Sequence, residues 1–156
     1  MGDNTQAIRE AVENYFEKEG FKFSGFDEDN FAKTSFKVKT KFGHAEIIFH
    51  AMDDRLMLRS MLPLNADEDS AVAVAEFLLR ANYGMKNGGF DFDFRDGEIS
   101  YRFPLYCGDE MDAPTHEQIN FAVDSCLFAV QRYSDGIAKV IYGLETPKEA
   151  IENIEG

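Results

Sequence analysis

The chain has no tryptophan, two cysteines, three histidines and four prolines, and its 16 basic residues are outnumbered by 29 acidic ones. Each shortage closes off a class of reading. Cys107 and Cys126 have no C-x-x-C spacing, and Cys126 falls on the apolar stripe of a helical pattern, so both are expected to be free thiols in a reducing compartment. His44 and His50 share one face of a strand pattern but stand roughly 20 Å apart at strand rise. That is too far to share an ion. His116 opens a helix, no H-x-x-x-H spacing occurs, and no metal is expected. A net charge of −13 lacks the basic footprint that sequence-independent nucleic-acid binding needs, and it is repelled by an anionic membrane surface. No apolar run reaches membrane-spanning length, and residues 1–10 lack a secretory core. Gln6 stands where a myristoylation signal carries Ser or Thr, so a cytoplasmic location is expected.

Signatures of chemistry are missing too. No P-loop, G-x-S-x-G or G-x-G-x-x-G occurs, and Asn87-Gly88-Gly89 leads into a strand rather than a helix. No cysteine has a histidine beside it to act as a base. The acidic runs Asp27-Glu28-Asp29 and Asp109-Glu110-Met111-Asp112 do not fit an EF-hand loop and read as solvated loops. Neither catalysis nor a cofactor is expected.

What the chain has is phenylalanine, fifteen of them, in a composition that is 44% hydrophobic and long enough for one well-filled core. The strongest local signal is the segment 90–105, FDFDFRDGEISYRFPL. Asp-Gly favours a two-residue type I′ turn, so Asp96-Gly97 predicts a β-hairpin. That register sets Phe94 against Ile99, Phe92 against Tyr101 and Phe90 against Phe103 on one face, with Asp91 meeting Arg102 on the other.

Upstream, Ile8, Ala11, Val12, Tyr15 and Phe16 form one face of a helix from Ala7 to Glu19, stopped by Gly20. A three-stranded meander follows, built on Phe36-Val38-Thr40, Ala45-Ile47-Phe49-Ala51 and Leu56-Leu58-Leu62. Tight turns would align Phe36, Phe49 and Leu58 across it, then Val38, Ile47 and Ser60, with Lys39 beside Glu46 outside. Asn65 and Glu68 predict a capping box for a helix from Ala66 to Asn82, and Thr115 with Gln118 a second box for a long helix to about Tyr142. The long helix carries its buried stripe on Ile119, Val123, Cys126, Val130, Tyr133, Ile137 and Ile141. Thr146-Pro147 starts a short tail helix bearing Ile151 and Ile154. The fold class is α+β: an antiparallel sheet, meander plus hairpin, with helices in the order α-β-β-β-α-β-β-α and a C-terminal helix. Residues 1–143 form the domain and 144–156 the tail.

This order resembles the YbjN family, small bacterial domains described as sensory transduction regulators. The residues that carry the likeness are RSMLPLN after the third strand, the Ala81-Asn82 step, the hairpin from Gly88 to Leu105 and the long helix through Gln131-Arg132-Tyr133. The resemblance implies a fold like that of the class I type III secretion chaperones, and a dimeric, non-enzymatic module that holds another polypeptide.

Three surfaces are candidates for that work. The helix 66–82 is apolar over an arc of about 200°, twice an ordinary stripe. Val72, Ala75 and Leu79 make one flank; Val74, Phe77, Leu78 and Ala81 make the other. Such a helix is sandwiched inside its own subunit or buried against a second copy, and the resemblance favours a homodimer through Val74, Phe77, Leu78 and Ala81. On the long helix, Phe121, Phe128 and Tyr142 fall on the polar side and mark a partner-binding patch unless the tail helix folds over them. On the outward face of the meander, Ile48, Met57 and Met61 suit an adaptable interface or lie under a helix. The expected partner is a protein or peptide client. A regulatory domain sensing a small ligand on the same scaffold is the second reading.

Overall fold

The computed structural model describes residues 2–156. Helix α1 spans Thr5–Glu19, followed by strands β1 (Phe31–Lys37), β2 (His44–Ala51) and β3 (Arg55–Met61). Then come α2 (Ala71–Asn82), β4 (Gly89–Asp93), β5 (Glu98–Tyr106), α3 (His116–Ile141) and α4 (Pro147–Glu155). The strands make one antiparallel sheet in the order β1-β2-β3-β5-β4. Helices α1 and α3 lie on the inner face of the central strands, α2 against β4, and α4 against α2 and α3. Period-two alternation decides which side chains meet them: Ile47, Phe49, Leu56, Leu58 and Ile99 are fully buried, while their strand neighbours point to the uncovered face.

Of the three strand turns taken to be tight, two are longer: the one ending β1 and the one between β4 and β5. In the hairpin Phe92 opposes Ile99 and Phe90 opposes Tyr101, leaving residues 94–97 as the connection. A type I′ turn needs positive φ at both central residues, and only Gly97, at 78°, has it. Asp93 takes the turn over: its carboxylate accepts from the Arg95 amide at 2.9 Å and from the Arg95 guanidinium at 2.8 Å. Ala66 donates its amide to the Gly97 carbonyl at 2.9 Å, and a Cβ on Gly97 would lie 1.9 Å from the Ala66 oxygen. A shift of two residues keeps each side chain on its face, so Phe90 and Phe92 still turn inward. Phe94 goes to the exposed tip, edge-on to Phe92.

Strand β1 likewise runs earlier than its alternation suggested. The connection to β2 takes residues 38–43, so Phe36 faces Ala45, and Ala32 faces Phe49. Glu46 stands opposite Ser35, not Lys39, whose amide donates to Gln131 Oε1 at 3.0 Å. The β2–β3 half is as expected, with Phe49 opposite Leu58 and Ile47 opposite Ser60.

Helix α2 begins at Ala71, five residues later than the sequence indicated. Asp67 and Ser70 bond each other's amides in a turn ahead of it, at 2.8 and 3.2 Å. Asn65 Nδ2 reaches the Asp96 carbonyl instead of capping the helix. The other expected capping box forms at Thr115 with Gln118, and the tail-helix start at Thr146 makes a further one with Glu149. Gly136 is where α4 comes close: an added Cβ would sit 2.6 Å from Ile154 Cδ1.

Candidate functional site

Helix α3 exceeds what the sheet can cover, and its outward residues meet the loop that joins α2 to β4. Between them lies a groove of about 650 Å³. Its floor is Tyr101, Ala129 and Tyr133, all buried. One wall is Phe121 and Phe128, 52% and 59% exposed, and the other is Tyr83 and Met85. The rim is polar: Asp124, Arg132 and Glu155 on one side, Lys86 on the other.

Each part is held by local chemistry. Tyr101 donates its hydroxyl to the Asn87 carbonyl at 2.8 Å, and Gly88, at a φ of 65°, is the only residue type that fits there. Any Cβ would lie 2.4 Å from the Tyr101 oxygen. The Asn82 side chain fastens the loop's far end to Phe90 with a bond each way, at 2.7 and 3.0 Å. Phe121 leans edge-on against Phe103, ring centres 5.9 Å apart. Arg132 lies over both Phe128 and Tyr133, 5.8 and 5.6 Å from the ring centres. Tyr133 donates to Glu155 at 2.6 Å, which places the end of α4 at the rim.

The groove offers apolar area and a cation–π clamp rather than a reactive group. Burial pushes the Tyr101 and Tyr133 hydroxyls up to about 12, so both stay protonated donors. Cys126, behind the floor, is pushed up to about 12 by burial as well. Ser125 donates its hydroxyl to the Phe121 carbonyl at 2.7 Å. None of the three histidines lines the groove: His116 pairs with Glu19 at 3.1 Å, His50 stacks on Phe31 and His44 lies exposed on β2. Among the described residues no three His, Cys, Asp or Glu side chains converge as metal ligands do.

The other candidates are placed as follows. Val74, Phe77, Leu78 and Ala81 are buried within the subunit, at most 3% exposed, so they are core and not an interface. The reason is α4, which with α3 covers that flank of α2. The opposite flank stays bare, with Val72, Leu79 and Tyr83 exposed 75%, 71% and 91%. Tyr142 is exposed but belongs to a separate hollow near Leu144 and Pro147, away from Phe121 and Phe128. The tail helix covers neither phenylalanine. Ile48, Met57 and Met61 lie half-buried around Arg59 on the sheet face that carries no helix. Tyr83, Lys86 and Arg132 escaped sequence reasoning, because a groove between a helix and a loop leaves no linear motif. The one available hint was Tyr83-Gly84, a large aromatic at a helix stop.

The fold recurs in solved structures at low identity. A chain of the crystal structure of the ExsC–ExsE complex matches at 15% identity and a TM-score of 0.55, over 85% of this chain and 95% of its own. The HopA1–SchA chaperone–effector complex matches at 10% and 0.55, over 85% and 96%. The crystal structure of YbjN from E. coli matches at 12% and 0.55, over 86% and 90%. No curated protein sequence matches. Residues 9–139 match the family described as "YbjN: Putative bacterial sensory transduction regulator", and the chain belongs to the YbjN family.

Proposed function

We propose that the protein is a non-enzymatic, chaperone-like binding module that holds a segment of another protein against apolar side chains. The observation that carries this reading is the groove, where two phenylalanines one heptad apart stand more than half exposed beside buried tyrosines. Exposed aromatics in a row at a concave surface are the composition of binding hot spots. Support also comes from the neighbours in fold, one of which is a chaperone–effector complex and another the ExsC–ExsE complex. The charge of −13 keeps such a surface soluble while it is empty, as a cytoplasmic carrier requires. Homodimerisation fits the bare flank of α2, where Val72 and Leu79 repeat at heptad spacing and Tyr83 extends the line.

Cross-linking and capture from the native host tests the client reading. Phe121→Ser/Phe128→Ser should lose the captured protein while keeping its fold, and retention by the double variant would remove the groove from consideration. For the dimer, light scattering of Val72→Glu/Leu79→Glu should show the monomer mass where the parent shows twice that. A small-ligand sensor is the alternative, favoured by the groove's volume, which lies within the range of small-molecule sites. A metabolite that raises the melting temperature, with no protein captured, would select it.

A further inference from the structure

The hollow that holds Tyr142 lies at the C-terminal end of α3 and shares no lining residue with the groove. We propose that it docks a short basic segment of a partner protein, one apolar side chain flanked by lysine or arginine. Two independent observations meet there. The first is apolar area that the fold leaves unused. Helix α3 stops at Gly143, left-handed at a φ of 71°. The Gly143 amide donates to the Val140 carbonyl at 3.1 Å and the Leu144 amide to the Lys139 carbonyl at 2.8 Å. In such a stop, the residue in Leu144's place commonly packs back on the last turn of the helix. Here the facing positions are Ala138 and Lys139, and Leu144 stays 73% exposed, with Tyr142 at 68%. Both open onto a hollow of about 500 Å³, backed by buried Val140 and half-buried Ala73 and Ile141. Most of its lining, residues 140–147 and 149, lies past the end of the family match.

The second observation is charge. Four carboxylates line the hollow, Asp67, Asp69, Glu145 and Glu149, and no basic residue does. Among the described residues only Glu145 has an ion pair, with Lys139 at 3.5 Å. Two of the acids also serve the local fold: Asp67 accepts from Ser70 and Glu149 from Thr146, bonds that hold both carboxyls below their usual range. Asp69 and Glu145 cap nothing, since the N-caps are Ser70 and Thr146. The carboxylates do not converge as metal ligands do, and a bare polyamine would leave Tyr142 and Leu144 in water. A basic segment with one apolar anchor uses both halves of the site. Its cations meet the rim, its apolar side chain covers Leu144, and the Tyr142 ring offers a cation–π face.

The test uses the full chain and the blocked peptide Gly-Lys-Arg-Leu-Arg-Lys-Gly, followed by amide NMR. Binding should perturb the amides of Tyr142, Gly143, Leu144 and Asp69 and weaken with salt. The analogue with glutamate for every lysine and arginine should not bind. The analogue with glycine for leucine keeps the charge but loses the anchor, and its affinity should fall by about tenfold or more. Tyr142→Ser/Leu144→Ser, both at exposed positions, should lose affinity to the same extent while the rest of the spectrum stays unchanged. Asp69→Lys, a change on the rim alone, should weaken binding through charge. Equal affinity for the glycine peptide would mean a bare polyanionic surface and overturn the proposal. So would shifts confined to Phe121 and Phe128, which would leave the groove reading standing, or no shift at about 1 mM peptide.

Discussion

The side chain of Asn82, last residue of α2, behaves as a strand residue toward Phe90: its Oδ1 accepts from the Phe90 amide at 2.7 Å and its Nδ2 donates to the Phe90 carbonyl at 3.0 Å. The helix thereby caps the sheet. Asn82→Ala leaves a buried residue with both backbone groups unpaired, and a loss of about 2 kcal/mol is expected by urea unfolding. A loss below about 0.5 kcal/mol would mean that water replaces the amide without cost.

Arg59 and Arg102 stand directly opposite each other on β3 and β5, an arrangement that repels unless something intervenes. Asp91 does so, accepting from Arg102 Nε at 2.7 Å and Arg59 at 3.0 Å. Burial opposes the charge on Asp91, but the two guanidiniums outweigh it and hold the carboxyl below its usual range. A depressed carboxyl stabilises the fold above its unfolded pKa, and the contribution fades as pH falls through the folded value. Asp91→Asn should therefore cost up to about 1 kcal/mol at pH 7, a figure limited by partial exposure. The gap between parent and variant should close on acidification below about pH 4, and a gap independent of pH would assign the loss to packing instead.

Two glycines with nearly the same φ should respond very differently to alanine. Gly43, at 77°, has no atom within 4 Å of a Cβ, so Gly43→Ala should cost about 1 kcal/mol of backbone strain. Gly97, at 78°, would drive its Cβ into the Ala66 carbonyl, so Gly97→Ala should cost clearly more, about 3 kcal/mol. Thermal unfolding of the pair separates contact from conformation. Equal shifts would mean that the 63–70 segment moves aside freely.

Cys107 and Cys126 are buried and free, and burial is the main reason both thiols are pushed up. The folded protein should react with Ellman's reagent only as fast as it opens, and both thiols should react at once in denaturant. Rapid labelling of the native state would place one of them at a mobile surface.

The amphipathic patterns were legible because period and polarity agree: the stripe from Ile119 to Ile137, the capping box at Thr115 and the helix start at Thr146-Pro147 needed no tertiary information. The YbjN likeness could be read from the hairpin and the long helix for the same reason. The β2–β3 register was legible, but those of β1 and the hairpin were not, in the hairpin because Asp93 and Ala66 act on the turn at residues 94–97 from outside the two residues that suggested it. The wide apolar arc of α2 was visible, but which flank is covered depends on where α4 docks. That is a long-range fact. Phe121 and Phe128 were legible as outward aromatics, whereas the loop that completes their groove was not.

With helices on one side of the sheet only, the helix-side positions of each strand and their neighbours answer to different constraints. Thr34, Ile47 and Leu58 must fit partners already in place, while Ser35, Ile48 and Met57 look out on solvent. A saturation library should tolerate most replacements at the second set and few at the first. The protein can thus re-specify its outer surface, strand by strand, without renegotiating its interior.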